Sequence, residues 1–288
     1  MKYIDVSEHQ GVIDWARAKE SIDGAILRAG YGRGAADRQF RRNAAECNRL
    51  GIPCGAYWFS YAYSPEMARS EAAQLLRAVG EYEMALPLAF DYEYDSVTHG
   101  RQQGAVITPE LVRDMASEFC RSVEEAGYRC LLYANPDFLS RYFGALPARC
   151  ELWLAQWPKT VDLAKPPRAC GIWQWGVSAV PGISGQVDTN EAYRDYAALF
   201  RETERRAGSS RPTGEETPEA SPRPTGEPSG DSVGEGLAPP APTEPWYAEA
   251  MAWARGNGIM DGLRPEDPAT RAEVAQMFYN LEKGRRKP

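Results

Sequence analysis

The chain has 288 residues, is 43% hydrophobic and 25% charged, and carries a formal net charge of −7. That length can bury a large core and leaves room for more than one folded unit. The composition excludes several classes: no apolar run approaches the ~20 residues of a membrane span, and no basic stripe of the kind that follows nucleic acid is present.

In chain order, the first half alternates strand and helix. Tyr3–Ser7 reads as a strand, 13–20 as a short helix, and Gly24–Gly30 as a second strand. A helix over 38–50 ends at Gly51, which suits a left-handed cap. Cys54–Tyr61 is the third strand. Ser64-Pro65 then opens a helix to Val79 with a polar N-cap and a proline at the first helical position. The fourth strand spans 86–93. Thr108-Pro109 repeats the helix-start signal for a helix ending near Gly127, and 129–134 is the fifth strand, followed by a short helix over 136–143.

The rhythm then changes. Segments 152–157, 172–175 and 186–189 read as strands with little helix between them, and a helix returns only over 191–205. Alternating strand and helix implies a parallel sheet, and about eight strands in about 200 residues imply closure into a barrel. The expected fold class is α/β, a distorted TIM-like (β/α)5(β)3 barrel over 1–206.

From 207 to 244 the sequence loses periodicity and fills with Pro, Gly, Ser, Thr and Glu. Arg-Pro-Thr-Gly-Glu occurs at 211–215 and again at 223–227. Seven acids against two arginines place most of the net negative charge in this segment, which reads as an extended tether. Helical spacing returns in 245–288, where Trp246–Arg255 and a capping box of Thr270 with Glu273 indicate a small two-helix module.

The six cysteines form no C-x-x-C pair, and with only His9 and His99, the latter read as a surface-loop residue, no metal site or cofactor is expected. The N-terminus MKYIDVSEHQ lacks the apolar stretch of a secretory signal, so the chain is expected to be made in the cytoplasm with its cysteines reduced. Common nucleophile, phosphate and zinc motifs (G-x-S-x-G, the P-loop, H-E-x-x-H) are missing, and Gly30–Gly34 lacks the spacing of a dinucleotide loop.

The chemistry concentrates in Leu86–Asp95, LPLAFDYEYD, where an apolar run turns acidic within one residue. Side chains alternate along a strand, so Asp91 and Glu93 share a side, with Cα atoms roughly 6.6 Å apart. Two neighbouring carboxylates repel, and one tends to keep its proton, giving an acid beside a base or nucleophile. That is the equipment for hydrolysing a glycosidic bond. A lone D-x-E can equally cap a helix or face solvent. In barrels of this type, however, catalytic groups gather at the C-terminal ends of the strands. Such ends also carry Asp5 and Asp188, and closure of the barrel brings these two together across the mouth from Asp91 and Glu93. Arg28, Tyr61, Tyr133, Gln156, Trp157, Gln174 and Trp175 are the candidate substrate-binding residues, the aromatic faces suiting sugar rings.

These residues resemble glycoside hydrolase family 25, the Chalaropsis-type lysozymes. The matching motifs are Ile4-Asp5-Val6-Ser7 with Gln10-Gly11 and Ile13-Asp14-Trp15; Ala25 to Gly32; Gly55-Ala56-Tyr57; Phe90-Asp91-Tyr92-Glu93; Leu152 to Trp157; Trp173-Gln174-Trp175; and Val187-Asp188-Thr189-Asn190. One position departs from the pattern: Trp58 stands where many members have histidine.

The resemblance implies an endolysin-like N-acetylmuramidase, of phage or prophage type, acting on the bacterial cell wall after release. It would cleave the β-1,4 bond from N-acetylmuramic acid to N-acetylglucosamine in peptidoglycan, with retention and without a metal. Glu93 would serve as general acid, then base. Asp91 would stabilise the oxocarbenium-like state or orient the substrate's N-acetyl group, and Asp5 and Asp188 would position substrate and tune the pair. A chitinase-like hydrolase and an inactive glycan-binding barrel are the competing expectations. The segment 245–288 resembles a single S-layer homology repeat, which implies binding of a secondary cell-wall polymer, with Arg271 at the matching contact position.

Overall fold

The structure, a computed structural model, describes residues 1–144, 146 and 150–209. The module expected over 245–288, Arg271 included, lies outside the described residues, as does the expected linker beyond Ser209. Residues 207–209, expected as the start of the tether, instead continue a helix.

In chain order the strands are β1 (Lys2–Val6), β2 (Gly24–Tyr31), β3 (Ala35–Ala36), β4 (Cys54–Phe59), β5 (Leu88–Asp91), β6 (Cys130–Ala134), β7 (Glu151–Ala155), β8 (Ile172–Ser178) and β9 (Val187–Ala192). The two-residue β3 only decorates β2. The other strands follow one another in the order β1-β9-β8-β7-β6-β5-β4-β2, and pairing of β2 with β1 closes the barrel. From β1 round to β8 the pairs are parallel. β9 runs antiparallel to both of its neighbours, β8 and β1.

The strands read as near-continuous apolar runs because both faces are covered. One parity, with Tyr3, Ile26, Tyr57, Ala89, Leu131, Trp153 and Ile172, forms a cluster that fills the barrel interior. The other, with Ile4, Leu27, Trp58, Phe90, Leu132, Leu154 and Trp173, joins the larger outer cluster shared with the helices. The helices are α1 (Trp15–Ala18), α2 (Phe40–Leu50), α3 (Pro65–Val79), α4 (Tyr94–Gln102), α5 (Pro109–Glu125), α6 (Pro136–Phe138) and α7 (Tyr196–Ser209).

Their starts follow local chemistry. Ser64, Thr108 and Asn135 accept the N–H of Met67, Leu111 and Phe138, each with proline next in sequence, and Gly51 closes α2 at φ 66°. No described helix is long and apolar enough to cross a membrane. All six cysteines are free thiols, five of them buried.

Four expectations are corrected. The strand expected over 86–93 pairs only from Leu88 to Asp91, because Glu93 leaves the ladder to become the N-cap of α4, a helix the sequence did not suggest. His99, expected in a surface loop, lies on α4 with its ring 4.9 Å from that of Tyr61. The helix expected from 191 begins at Tyr196, since Glu191 and Ala192 belong to β9, where Glu191 pairs with Lys2. Finally, the last strand is reversed, so Asp188 reaches its position from the beginning of a strand and not from the end.

β4 and the chain entering β5 approach so closely at Gly55 that a Cβ there would lie 2.3 Å from the Pro87 carbonyl oxygen. Gly55→Ala is therefore expected to cost about 1–3 kcal/mol through overpacking. Thermal denaturation followed by circular dichroism should show a lower midpoint; an unchanged midpoint would contradict this close approach.

Candidate active site

The inward parity continues past the apolar filling to the rim where β1–β8 end, and there it becomes polar. Asp5, Arg28, Asp91, Tyr133 and Gln174 share the parity of the interior cluster on their strands. Asp5 stands directly opposite Asp188 in the β1–β9 register. Asp91 lies between Phe59 of β4 and Tyr133 of β6.

Asp5 is 4% exposed, and its Oδ2 accepts from Gln174 Nε2 at 3.0 Å and from Asn190 Nδ2 at 2.9 Å. Asn190 Oδ1 in turn accepts from Trp153 Nε1 at 2.7 Å. Gln174 Oε1 accepts from Tyr133 Oη at 3.0 Å and from Trp157 Nε1 at 3.3 Å. Burying a carboxylate without such donors would cost several kcal/mol. The amide side chains thus hold Asp5 in one orientation across the floor of the mouth.

Across the barrel, Asp91 is buried at 2% exposure as the last residue of β5. Tyr92 turns to the outer side, its ring stacked 5.7 Å from Phe90. Glu93 keeps an extended backbone (φ −125°, ψ −170°), so the alternation carries it back to the side of Asp91 although the ladder has ended. It is partly exposed and pairs with Ser96 in a capping box, its N–H donating to Ser96 Oγ at 3.1 Å. Glu93 is therefore held at a helix N-terminus, with a buried carboxylate on one side and solvent on the other.

Tyr61 belongs to the same rim. Its phenol is pushed up from its ordinary value, first by burial and then by the charges of Asp95 and Asp91, with Arg28 opposing them.

The remaining candidates divide. Trp157 is half exposed and tied to Gln174, so its ring borders the mouth. Trp175 is the extra residue of a β-bulge, is partly buried and packs against the outer cluster. Gln156 contributes its main chain: its carbonyl accepts from Trp173 Nε1 at 2.7 Å, and its N–H donates to the Gln174 carbonyl at 3.0 Å.

Arg28 is engaged in ion pairs, with Nε 2.8 Å from Asp37 Oδ2 and Nη2 3.2 Å from Glu8 Oε1. Asp37, 4% exposed, also accepts the N–H groups of Glu8 and Gln39. Arg28 thus clamps the loop after β1 to the start of α2. Asn190, Trp153, Glu8 and Asp37 were not among the sequence candidates. Asn190 had a signal in the Val187–Asn190 motif, whereas the pairing of Asp37 with Arg28 needs the β2–β3 turn. No group of three or more metal-ligating side chains occurs among the described residues.

The model of glycosyl hydrolases family 25 matches residues 4–183. The modular autolysin LytC of Streptococcus pneumoniae, solved with a synthetic peptidoglycan ligand, is similar at 26% identity and a TM-score of 0.56. The similarity covers 66% of this chain and 46% of that one, so the chain spans less than half the length of that autolysin. The Streptomyces coelicolor lysozyme shares the fold at 22% identity and a TM-score of 0.57, over 70% of this chain and 98% of its own. The catalytic domain of an endolysin from bacteriophage P40 of Listeria monocytogenes does so at 20% identity and a TM-score of 0.59, over 70% and 97%. No curated protein sequence matches the chain at a significant level.

Asn190→Ala removes one donor from Asp5 and the acceptor of Trp153 Nε1, leaving that buried N–H unsatisfied. The expected loss is about 1–3 kcal/mol of folding stability, measurable as a lower urea midpoint at unchanged slope. An unaltered midpoint would show that the Asp5 network does not depend on this amide.

Proposed function

From the premise that this chain belongs to glycosyl hydrolase family 25, we propose that it is a retaining N-acetylmuramidase that cuts the glycan strands of peptidoglycan. The observation that carries this reading is the convergence of Asp5, Asp188 and Asp91 on one rim of a closed barrel, with Glu93 extended just beyond it. The peptidoglycan ligand of the similar autolysin supports the choice of substrate.

In this reading Glu93 protonates the glycosidic oxygen and later takes a proton from the attacking water. It is partly exposed where Asp91 is buried, and like-charge repulsion between neighbouring carboxyl groups favours keeping a proton on one of them. Asp91 lies on the side where positive charge develops. There it stabilises the oxocarbenium-like state or orients the substrate's N-acetyl group for internal attack. Asp5, fixed by Gln174 and Asn190, together with Asp188 holds the sugar at the cleavage point. Trp157 and Tyr61 offer ring faces at the rim.

We propose further that 1–209 form the catalytic unit, 210–244 a tether and 245–288 an S-layer-homology-like module that holds the enzyme on a secondary wall polymer through Arg271. The shift to Pro, Gly, Ser, Thr and Glu after the barrel and the return of helical spacing near 245 support this division. We propose also that it acts on the bacterial wall after release, as a phage or prophage endolysin would.

Glu93→Gln keeps shape and removes the proton. It is expected to clear purified walls about 10²–10⁴-fold more slowly than wild type. Analysis of the released ends should find N-acetylmuramic acid at the new reducing termini. Equal clearing by both proteins would remove the role of Glu93, and ends released from chitin but not from peptidoglycan would favour the chitinase-like reading. Truncation after Ser209 should leave hydrolysis of fragmented peptidoglycan intact while reducing cosedimentation with whole walls several-fold. Undiminished cosedimentation would end the targeting role of the tail.

A further inference from the structure

Behind the rim lies a carboxyl group that the mechanism above does not use. Glu71, in the middle of α3, is only 2% exposed. Its Oε1 accepts the N–H of Tyr61 at 3.1 Å, and the Ser60 hydroxyl also bonds its carboxyl group. Ser60 is fully buried, its Oγ accepts the N–H of Ala62 at 3.1 Å, and its own N–H donates to the Asp91 carbonyl at 2.8 Å. A short chain of hydrogen bonds thus runs from Glu71 through the turn after β4 to the backbone of Asp91. The same turn carries Tyr61.

No cation pairs with Glu71 among the described residues. Its Oε2 and the hydroxyl of Tyr92 are both buried without a hydrogen-bond partner there, and the two groups lie close enough for the charge of one to act on the other. Tyr92 sits between Asp91 and Glu93. Around this pair, Arg101 of α4 and Tyr142 act on Tyr92, while the His99 ring packs at a tilt against Tyr61. The Arg69–Glu118 ion pair between α3 and α5 is more open to solvent. A carboxylate has nothing here to balance its charge.

We propose that Glu71 is a positioning residue which, as a neutral acid, locks the Ser60–Tyr61 turn against β5 and so aims Asp91 and Glu93. The role rests on the muramidase reading. Burial pushes the Glu71 carboxyl up to about 8, outweighing its hydrogen bonds to Ser60 and the Tyr61 N–H. Because its folded value lies above its unfolded one, its stabilising effect is complete below the unfolded value and is lost as pH rises through about 8. Ionisation then forces a charge into the interior and loosens the turn.

Glu71→Gln retains the acceptor oxygen and cannot ionise. Release of reducing ends from purified peptidoglycan by this variant and by wild type, measured from pH 5 to 9, separates Glu71 from Glu93, whose titration is common to both. The kcat ratio of variant to wild type should stay near one at pH 6 and rise to about tenfold at pH 9, one unit beyond the Glu71 value. KM should move alike in the two proteins. Glu71→Leu should lose kcat roughly tenfold at pH 6 with little change in KM, about 1.4 kcal/mol of transition-state stabilisation.

The thermal midpoint of wild type should fall between pH 5 and 9 more than that of Glu71→Gln. An active wild type whose ratio to Glu71→Gln stays flat with pH, or a glutamine variant as impaired as the leucine one, overturns the role of Glu71 alone. A wild type that releases no ends removes the muramidase reading and this role with it.

Discussion

The site depends on how the barrel is closed. A sheet of parallel strands ends its catalytic rim at strand C-termini, yet here the last strand arrives reversed and inserts between β8 and β1. That reversal lays Asp188 beside Asp5 and delivers Asn190 to the buried carboxylate. Two amides meet the buried Asp5 carboxyl group there, and those amides are fixed by Trp153, Tyr133 and Trp157. The hydrogen bonds that complete the fold are also those that shape one wall of the cleft.

The opposite wall is made differently. Asp91 is held by its strand, Glu93 by the start of a helix, and Tyr92 anchors the pair by burying its ring among aromatics on the far side. The two acids therefore meet different environments two residues apart in the chain. One is closed off and the other borders solvent, the kind of asymmetry that drives the pKa values of neighbouring carboxyls apart. Arg28, despite its place at a strand end, serves the loop after β1 through its ion pairs with Glu8 and Asp37.

Much of this was legible in the sequence because it depends on short-range chemistry. Ser64-Pro65, Thr108-Pro109 and Gly51 mark helix ends through bonds made within a few residues, and the apolar runs mark strands covered on both faces. Asp5, Asp91 and Asp188 stood out as acids at the ends of such runs. What the sequence did not reveal depends on partners distant in the chain. The direction of β9 is set by its pairing with Lys2 to Asp5, which no pattern in Val187–Ala192 encodes. The helix after Glu93 was obscured because Tyr94–Gln102 is largely polar, with burial limited to Ser96, Val97 and Gly100. Trp175 reads as a groove residue until the bulge at Gln174/Gly176 displaces it from the regular alternation.

The central claim is spatial: carboxyl groups from the first, fifth and last strands surround one glycosidic bond, and Glu93 is the group that reaches its oxygen. A crystal structure of Glu93→Gln with a bound peptidoglycan tetrasaccharide tests it most directly. The account predicts the side chain at position 93 within about 3 Å of a glycosidic oxygen, with Asp91 at the adjoining anomeric centre and Asp5 and Asp188 around the same sugar. A glycan seated away from this rim, or a bound one that leaves position 93 beyond reach of every glycosidic oxygen, would contradict it.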